Sequence, residues 1–208
     1  KGSNFGTPCT ASRVEESIIT GSGGIALQVN ADNVIVDGFT ISNPTGSFGI
    51  YGKGRNYTTI ENNIITNIGN NVTGSGATYG VAIEMGSAAN MTDVNISNNC
   101  VNNIRGGQNT SMTGLAAKAN NGSAVAIGAG FSNAAFDINN LVISCNTISN
   151  ITAATDPWLQ GGKGAYGVNI NVGASGAAAG KAVSPMVSDN TISNLSGLWS
   201  HGVGLEGE

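Results

Sequence analysis

The stretch IENNIITN at residues 60–67 decides the fold, because the chain contains four further versions of it. The five versions are VDGFTISN at 36–43, IENNIITN at 60–67, ISNNCVNN at 96–103, ISCNTISN at 143–150 and VSDNTISN at 187–194. Their starting points are separated by 24, 36, 47 and 44 residues. Within each version, apolar and polar residues alternate with a period of two, which is the side-chain period of a β-strand. Self-similarity at such intervals predicts a stack of similar coils.

A second short motif alternates with the first and indicates another strand in each coil. Its six copies are GIAL at 24–27, GIYG at 49–52, GVAI at 80–83, AVAI at 124–127, GVNI at 167–170 and GVGL at 202–205. A single short strand cannot bury one face alone, whereas stacked coils bury a continuous interior column. The sequence therefore predicts an all-β solenoid of about five to six coils with loop insertions. We expect residues 1–208 to form one β-helix domain, with an entry or cap segment at 1–20, and to be a piece of a longer protein.

Asparagine recurs at two fixed positions of the first motif. One position holds Asn63, Asn99, Asn146 and Asn190, with Phe39 in the first copy. The other position holds Asn43, Asn67, Asn103, Asn150 and Asn194. Asparagine tolerates left-handed backbone angles and bonds to nearby backbone groups, so it suits sharp corners between short strands. We interpret both positions as structural ladders of stacked amides; the alternative is an amide-lined ligand site.

These motifs resemble the right-handed parallel β-helix repeats of the pectate-lyase-like superfamily. The opening residues, RVEESII at 13–19 and VIVDGFTI at 34–41, are similar to the first coils of such domains in large secreted bacterial or archaeal surface proteins. The resemblance covers nearly the whole chain from about Arg13 onward and implies a right-handed parallel β-helix. It implies no single activity, because the superfamily includes lyases, hydrolases, epimerases, adhesins and structural proteins.

The composition excludes several classes of protein. Charged residues make up 10 % of the chain and the formal net charge is −4, so the basic footprint of a nucleic-acid-binding protein is missing. The longest uncharged apolar stretch, around residues 124–131, is far shorter than the roughly 20 residues that span a bilayer. The three cysteines, Cys9, Cys100 and Cys145, show no metal-binding spacing and cannot all pair with one another. Their pairing stays open at this point.

Strict alternation along the second motif predicts which of its side chains face outward. If its second and fourth residues point inward, Gly49, Gly80 and Gly167 form an outward row that is nearly bare of side chains. The residues that precede the first position would then form an inward ring column: Phe48, Tyr79, Ser123, Tyr166 and His201. On the outward face of these strands, we expect Lys53 and Glu84, on adjacent coils, to form a surface ion pair.

One pair of acids is the only candidate for catalysis. Asp37 and Glu61 occupy the same position on adjacent coils. Paired carboxylates can catalyse glycoside hydrolysis, or hold Ca²⁺ with further oxygen ligands. No third acid or basic residue recurs in their row, so we interpret them as surface acids and expect neither a metal nor another cofactor. Tyr51 and Trp158 are candidate residues for stacking on sugar rings.

The low charge, the amide ladders and the scattered ionisable residues favour a non-enzymatic role. We expect an extracellular or cell-surface β-solenoid that is structural, adhesive or in contact with glycans. Its expected partners are the remainder of its own chain, neighbouring surface subunits or glycans, and neither nucleic acid nor a membrane span is expected. The alternative is a carbohydrate-active module, a polysaccharide lyase or glycoside hydrolase, whose catalytic coils lie mostly outside residues 1–208.

Overall fold

Short strands follow one another along the described parts of the chain, in the order that the motifs predict. The computed structural model describes residues 1–69, 76–85, 90–107, 122–130, 137–153, 163–172 and 181–206. The first nine strands are β1 (Ser17–Thr20), β2 (Ile25–Val29), β3 (Ile35–Asp37), β4 (Phe39–Asn43), β5 (Phe48–Lys53), β6 (Thr58–Glu61), β7 (Ile64–Ile68), β8 (Thr78–Glu84) and β9 (Met91–Ser97). The others are β10 (Cys100–Arg105), β11 (Ala124–Gly130), β12 (Ile138–Ser144), β13 (Thr147–Thr152), β14 (Gly164–Asn171), β15 (Ala182–Val183), β16 (Met186–Ser188), β17 (Thr191–Ser196) and β18 (Trp199–Glu206).

The strands form three parallel sheets, which we name A, B and C. Sheet A is ordered β1-β4-β7-β10-β13-β17, sheet B is β2-β5-β8-β11-β14-β18, and sheet C is β3-β6-β9-β12-β15, with β16 also paired to β12. Each turn of the chain visits A, then B, then C, and every strand pairs with its counterpart one coil away. This confirms the predicted right-handed parallel β-helix of about five to six coils. Parallel crossovers of this hand are the rule for chains of L-residues.

Columns of branched apolar side chains fill the interior. In sheet A the register places Ile41, Ile65, Val101, Ile148 and Ile192 one above the other. The first four of these side chains are fully buried. Burial of each such side chain contributes roughly 1.5–3 kcal/mol, so the stack gains with every added coil. At the last coil the interior opens, and Val203 and Leu205 are 45 % and 70 % exposed.

Left-handed backbone residues form three rows that run along the axis. One row lies in the short turn between sheets C and A. It contains Asn62, Asn98, Cys145 and Asp189, with Gly38 in the first coil. A second row lies where the chain enters sheet C: Asn33, Tyr57, Asp93, Asn140 and Ser184. The third lies within sheet A: Asn67, Asn103, Asn150 and Asn194. Asparagine and aspartate visit this region more readily than other residues with a Cβ, which explains their abundance at the corners.

The first asparagine position forms a hydrogen-bonded ladder in the turn between sheets C and A. The Nδ2 atoms of Asn63, Asn99 and Asn146 donate to the Oδ1 of the ladder residue in the next coil, at 3.1, 3.1 and 2.9 Å. The backbone N–H of the same three residues donates to that same oxygen, at 3.0 Å each. Asn190 receives the last pair of bonds, and Phe39 donates its backbone N–H to Asn63 at 3.0 Å. Each rung also binds the preceding coil through a backbone carbonyl, as Asn63 Nδ2 does with Val36 at 2.9 Å.

Asn43 does not belong to the second asparagine position, and this part of the sequence-based assignment is wrong. The pairing of β4 with β7 shifts between Ser42 and Asn43, so Asn43 lies opposite Ile68 instead of Asn67. Asn43 is fully buried, and its Nδ2 donates to the backbone oxygens of Gly23 and Phe48 at 2.7 and 2.9 Å. The shift removes one outward residue from β4, which moves Asn43 to an inward position.

The first sixteen residues lie along the outside of the coils and are tied to three of them. Gly2 donates its backbone N–H to Asp37 O at 2.7 Å, and Arg13 donates to Asn62 O at 2.7 Å. A disulfide joins Cys9 to Cys100 in β10, across a sequence separation of 91 residues. Cys145 is a free, exposed thiol. Strand β1 then begins at Ser17 within the segment that the sequence suggested as an entry or cap.

Candidate functional site

Aromatic rings lie on the outer surface of sheet B, which corrects the inward prediction. The register of β2, β5, β8, β11, β14 and β18 aligns Ile25, Phe48, Tyr79, Val125, Tyr166 and His201 in one row. Phe48, Tyr79 and Tyr166 are half-buried, His201 is exposed, and none of these rings belongs to the apolar core. Strands β2 and β11 are also shifted by two residues from the alignment that the motifs predict. Val125 therefore takes the place predicted for Ser123.

The outward direction of these rings has a local cause at the glycines of the second motif. A Cβ on Gly49 would lie 2.9 Å from Ile65 Cγ2, and one on Gly80 would lie 2.6 Å from Val101 Cγ1. Both glycines therefore face the core, although Ile50, the residue after Gly49, is also fully buried. Two consecutive inward residues break the alternation, and the ring before them turns outward. The bare outward glycine row that strict alternation predicted does not exist.

The rings form two stacked clusters on this surface. Phe48 and Tyr79 are parallel, with centroids 5.4 Å apart and planes 4° apart. Tyr51, from the adjacent outward row, meets the Phe48 ring edge-on at 5.1 Å. Farther along the axis Tyr166 stacks on His201 at 5.3 Å and 11°. Strand β11, which lies between the two clusters, is buried along its whole length. We refer to Phe48, Tyr51, Tyr79, Tyr166 and His201 as the aromatic face.

A polar triad borders the first cluster. The Tyr51 hydroxyl donates a short hydrogen bond to Glu84 Oε2, and Lys53 Nζ lies 2.6 Å from Glu84 Oε1. The ion pair expected between Lys53 and Glu84 is thus present. Burial, followed by the hydrogen bond and the negative charge of Glu84, raises the pKa of Tyr51 to about 12. Tyr51 consequently remains a protonated donor at any physiological pH. The arrangement offers ring faces next to a carboxylate, an ammonium and a hydroxyl.

Asp37 and Glu61 lie together, but Asp37 is buried by structural contacts, which corrects the surface position expected for it, whereas Glu61 is half-buried. Asp37 and Glu61 are paired across β3 and β6. Asp37 is only 1 % exposed, and its carboxylate accepts bonds from the Gly6 N–H at 3.0 and 3.2 Å and from Asn62 Nδ2 at 2.9 Å. Burial and the charge of Asp37 raise the pKa of Glu61, whereas Lys1 lowers it. Asp37 anchors the N-terminal segment, and its oxygens face protein donors instead of solvent.

The exposed asparagine row lies on the outer surface of sheet A. Asn67, Asn103, Asn150 and Asn194 have φ values of 54°, 54°, 56° and 52° and are all exposed. Asn194 Nδ2 donates to Asn150 Oδ1 at 3.3 Å. This row is thus distinct from the buried ladder, and Asn102 beside it accepts a bond from Thr66 Oγ1 at 2.6 Å. Trp158, the other predicted sugar-stacking residue, lies outside the described residues.

Within the described ranges, no group of three or more His, Cys, Asp and Glu side chains is arranged to hold a metal ion. The part of the chain that the structure describes contains no helix with the length and apolarity needed to cross a membrane. The sequence matches no protein-family model, no curated protein and no solved structure.

Sequence reasoning identified Tyr51, Lys53 and Glu84 on this surface but missed the aromatic face as a unit. The recurrence of Phe48, Tyr79 and Tyr166 at one motif position was visible in the sequence, but the direction of their side chains, inward or outward, was not. One signal was available: glycine recurs after a ring in four coils, and recurrent glycine fits a crowded interior position better than a bare surface.

Proposed function

We propose that the protein is a non-enzymatic, extracellular β-solenoid that contacts glycans through the aromatic face. The observation that carries this proposal is the Phe48–Tyr79 stack with the Tyr51 hydroxyl and Glu84 beside it. A sugar presents apolar C–H groups on its ring faces and hydroxyls at its edges. Aromatic rings with adjacent polar groups match both, because they combine an apolar body with a hydrogen-bonding rim.

Two further observations support the extracellular, non-catalytic part of the proposal. The Cys9–Cys100 disulfide is of a kind that persists in oxidising compartments and is rare in the cytosol. Acid–base catalysis on a polysaccharide requires two ionisable groups within reach of one bond, with separated pKa values. The enclosed carboxylate of Asp37 does not meet that requirement. The resemblance of the repeats to the pectate-lyase-like superfamily fits a protein that works on or beside glycans.

The test is a binding panel with one matched pair of variants. Soluble neutral and acidic polysaccharides are titrated into the protein by isothermal calorimetry. For at least one of them, Phe48→Ala is expected to weaken binding roughly three- to tenfold, the value of about one aromatic contact. Phe5 is 50 % exposed and lies on the N-terminal segment, away from sheet B, so Phe5→Ala should bind as the unaltered protein does.

Three results would contradict the proposal. They are failure of every polysaccharide to bind, equal losses in Phe48→Ala and Phe5→Ala, and no loss in Phe48→Ala. If Phe48→Ala does not fold, Tyr166→Ala in the second cluster takes its place. The same panel is followed for new reducing ends and unsaturated products with and without Ca²⁺. Turnover abolished by Asp37→Asn or Glu61→Gln would favour the lyase or hydrolase alternative instead.

A further inference from the structure

A disulfide and a free thiol lie on neighbouring coils, at the corner where the chain turns from sheet C into sheet A. The Cys9–Cys100 disulfide fastens the N-terminal segment to β10. Cys145 is a free, exposed thiol between β12 and β13, one coil further along. The two corners are bonded directly, because Asn98 N donates to Ser144 O at 3.2 Å. All three sulfur atoms lie away from the aromatic face, so the inference does not depend on the proposed function.

We name residues 1–16 the strap, because they run along this corner and bind one coil after another. The corner consists of the left-handed row Gly38, Asn62, Asn98, Cys145 and Asp189. The strap donates a hydrogen bond to the backbone oxygen of each of the first three members, at 3.3, 2.7 and 3.4 Å. The donors are, in the same order, Asn4 N, Arg13 Nη1 and Cys9 N. The next corner position that this pattern would reach is Cys145.

Cys9 lies at the tip of the strap, where the chain reverses direction. Ala11 N donates to Pro8 O at 3.0 Å, which closes a tight turn, and the following residues run back towards the first coils. Among the described residues, the bond from Cys9 N to Asn98 O is the only hydrogen bond that joins residues 7–11 to a coil. The tip is thus held to the coils by one hydrogen bond and one disulfide, so a shift of the tip breaks few contacts.

Exposure along the corner changes at the point where the strap ends. Asn62, beneath the strap, is 5 % exposed. Cys145 and Asp189, beyond the tip, are both exposed. A thiolate is the nucleophile in disulfide exchange, and access to it is one of the factors that set the rate. The Cys145 thiol is therefore open to a disulfide that approaches from the tip of the strap.

The geometry selects Cys9 as the sulfur that Cys145 attacks. Cys9 is bonded to Asn98, which occupies the corner position of Cys145 one coil earlier, and adjacent coils are about 4.8 Å apart. Cys100 is in register with Thr147, two residues beyond Cys145, and is fixed in a central strand of sheet A. A disulfide requires Cα atoms within about 7 Å of each other. A step of the tip by one coil brings Cys9 into that range, whereas Cys100 cannot follow without disrupting β10.

We propose that Cys145 is an exchange thiol that moves the strap between two covalently locked positions, one coil apart. The Cys145 thiolate attacks Cys9 Sγ, the Cys9–Cys100 bond breaks, and a Cys9–Cys145 bond forms. Cys100 Sγ leaves with the bonding electron pair and is then protonated. One disulfide and one thiol are present before and after, so the step needs neither an oxidant nor a reductant. In the second position the tip covers the corner before β13, and Cys100 is the free thiol.

Peptide mapping can identify each pairing, because trypsin separates the three cysteines. Cleavage after Lys and Arg places Cys9 in residues 2–13, Cys100 in 56–105 and Cys145 in 119–163. The full chain is incubated without oxidant or reductant, quenched at low pH, capped with a maleimide and mapped without reduction. We expect peptide 2–13 to be linked mainly to 56–105 and in a second population to 119–163, together with capped Cys100. Cys145→Ser should lower the amount of capped Cys100 at least about tenfold, because it removes the attacking thiol.

Two matched variants test whether the position of the thiol matters. Cys100→Ser leaves Cys9 and Cys145, which should pair in a glutathione redox buffer because the strap holds them at a high effective concentration. The control combines Cys100→Ser and Cys145→Ser with Asp189→Cys, which moves the thiol one coil further along the same corner. Pairing with Cys9 should be at least about tenfold slower in the control, since the tip would have to move by two coils. Dilution of the protein should leave the rate of Cys9–Cys145 pairing unchanged.

Four results overturn the inference. They are absence of any link between peptides 2–13 and 119–163, equal capping of Cys100 in Cys145→Ser and the unaltered chain, a pairing rate that rises with protein concentration, and equally fast pairing in the Asp189→Cys control. The third result would assign Cys145 to a bond between two copies of the chain. If Cys100→Ser does not fold, the mapping of the unaltered chain and of Cys145→Ser decides the question alone.

Discussion

Asn99 and Asn103 lie four residues apart in the same coil and show how position changes what one side chain does. Asn99 is fully buried; its Nδ2 donates to Ile60 O at 2.8 Å and to Asn146 Oδ1 at 3.1 Å, and its Oδ1 accepts from Asn63. Asn103 is exposed and has a left-handed φ of 54°. The first residue joins three coils, and the second presents an amide to solvent. The comparison teaches that the repeat uses asparagine at these two positions for different physical reasons. At Asn99 the buried amide bonds the coils together, and at Asn103 the backbone is left-handed.

The largest effect should come from the buried ladder. Asn99→Ala removes the acceptor of two Asn63 bonds and leaves these donors, and the Ile60 carbonyl, in an environment without water. We expect a loss of about 1–3 kcal/mol in the free energy of unfolding, and a similar loss for Asn146→Ala. Urea denaturation followed by circular dichroism measures it. Unchanged stability in both variants would mean that the ladder is not a source of stability.

A smaller and more selective effect is expected at the exposed row. Asn103→Ala should cost about 1 kcal/mol, because alanine pays the steric penalty of the left-handed region, whereas Asn103→Gly should be nearly neutral. The order should reverse at Asn99, which is not left-handed, so that Asn99→Gly is at least as damaging as Asn99→Ala. The four variants are compared by the same denaturation experiment. A preference for glycine at both positions would erase the distinction between the two rows.

The smallest effect is expected at the end of the ladder. Asn190 accepts the last pair of bonds from Asn146 and is only partly buried, so water can replace the lost oxygen. Asn190→Ala should therefore cost under about 1 kcal/mol, which is less than Asn99→Ala. Thermal unfolding of the two variants side by side tests the ranking. A loss at Asn190 equal to that at Asn99 would show that burial does not set the energy of a rung.

Much of the fold could be predicted because repetition averages out local ambiguity. Five copies of one motif identified the ladder residues Asn63, Asn99, Asn146 and Asn190, and the structure bonds them to one another. A feature confined to one coil was harder. The register shift at Ser42 and Asn43 occurs once, so the motif alignment placed Asn43 in a row to which it does not belong.

The candidate site could be predicted only in part, because side-chain direction depends on contacts between coils. Tyr51 was expected on the surface, but the rings of Phe48 and Tyr79 were assigned to the interior. Their direction follows from Gly49 and Gly80, which face the core at positions where Ile65 and Val101 of sheet A leave no room for a Cβ. Those contacts join residues that strand periodicity does not relate.

The sequence by itself determined the class of architecture, a coil count of about five to six, and the asparagines of the buried ladder. It could do so because strands with a period of two, repeated in stacked coils, bury their apolar residues in a continuous interior column. Only the tertiary structure decided that Cys9 pairs with Cys100 and that the rings of sheet B face solvent. Each of these depends on how one coil, or the N-terminal segment, packs on another, and that packing is set by close contacts over dozens of residues of separation.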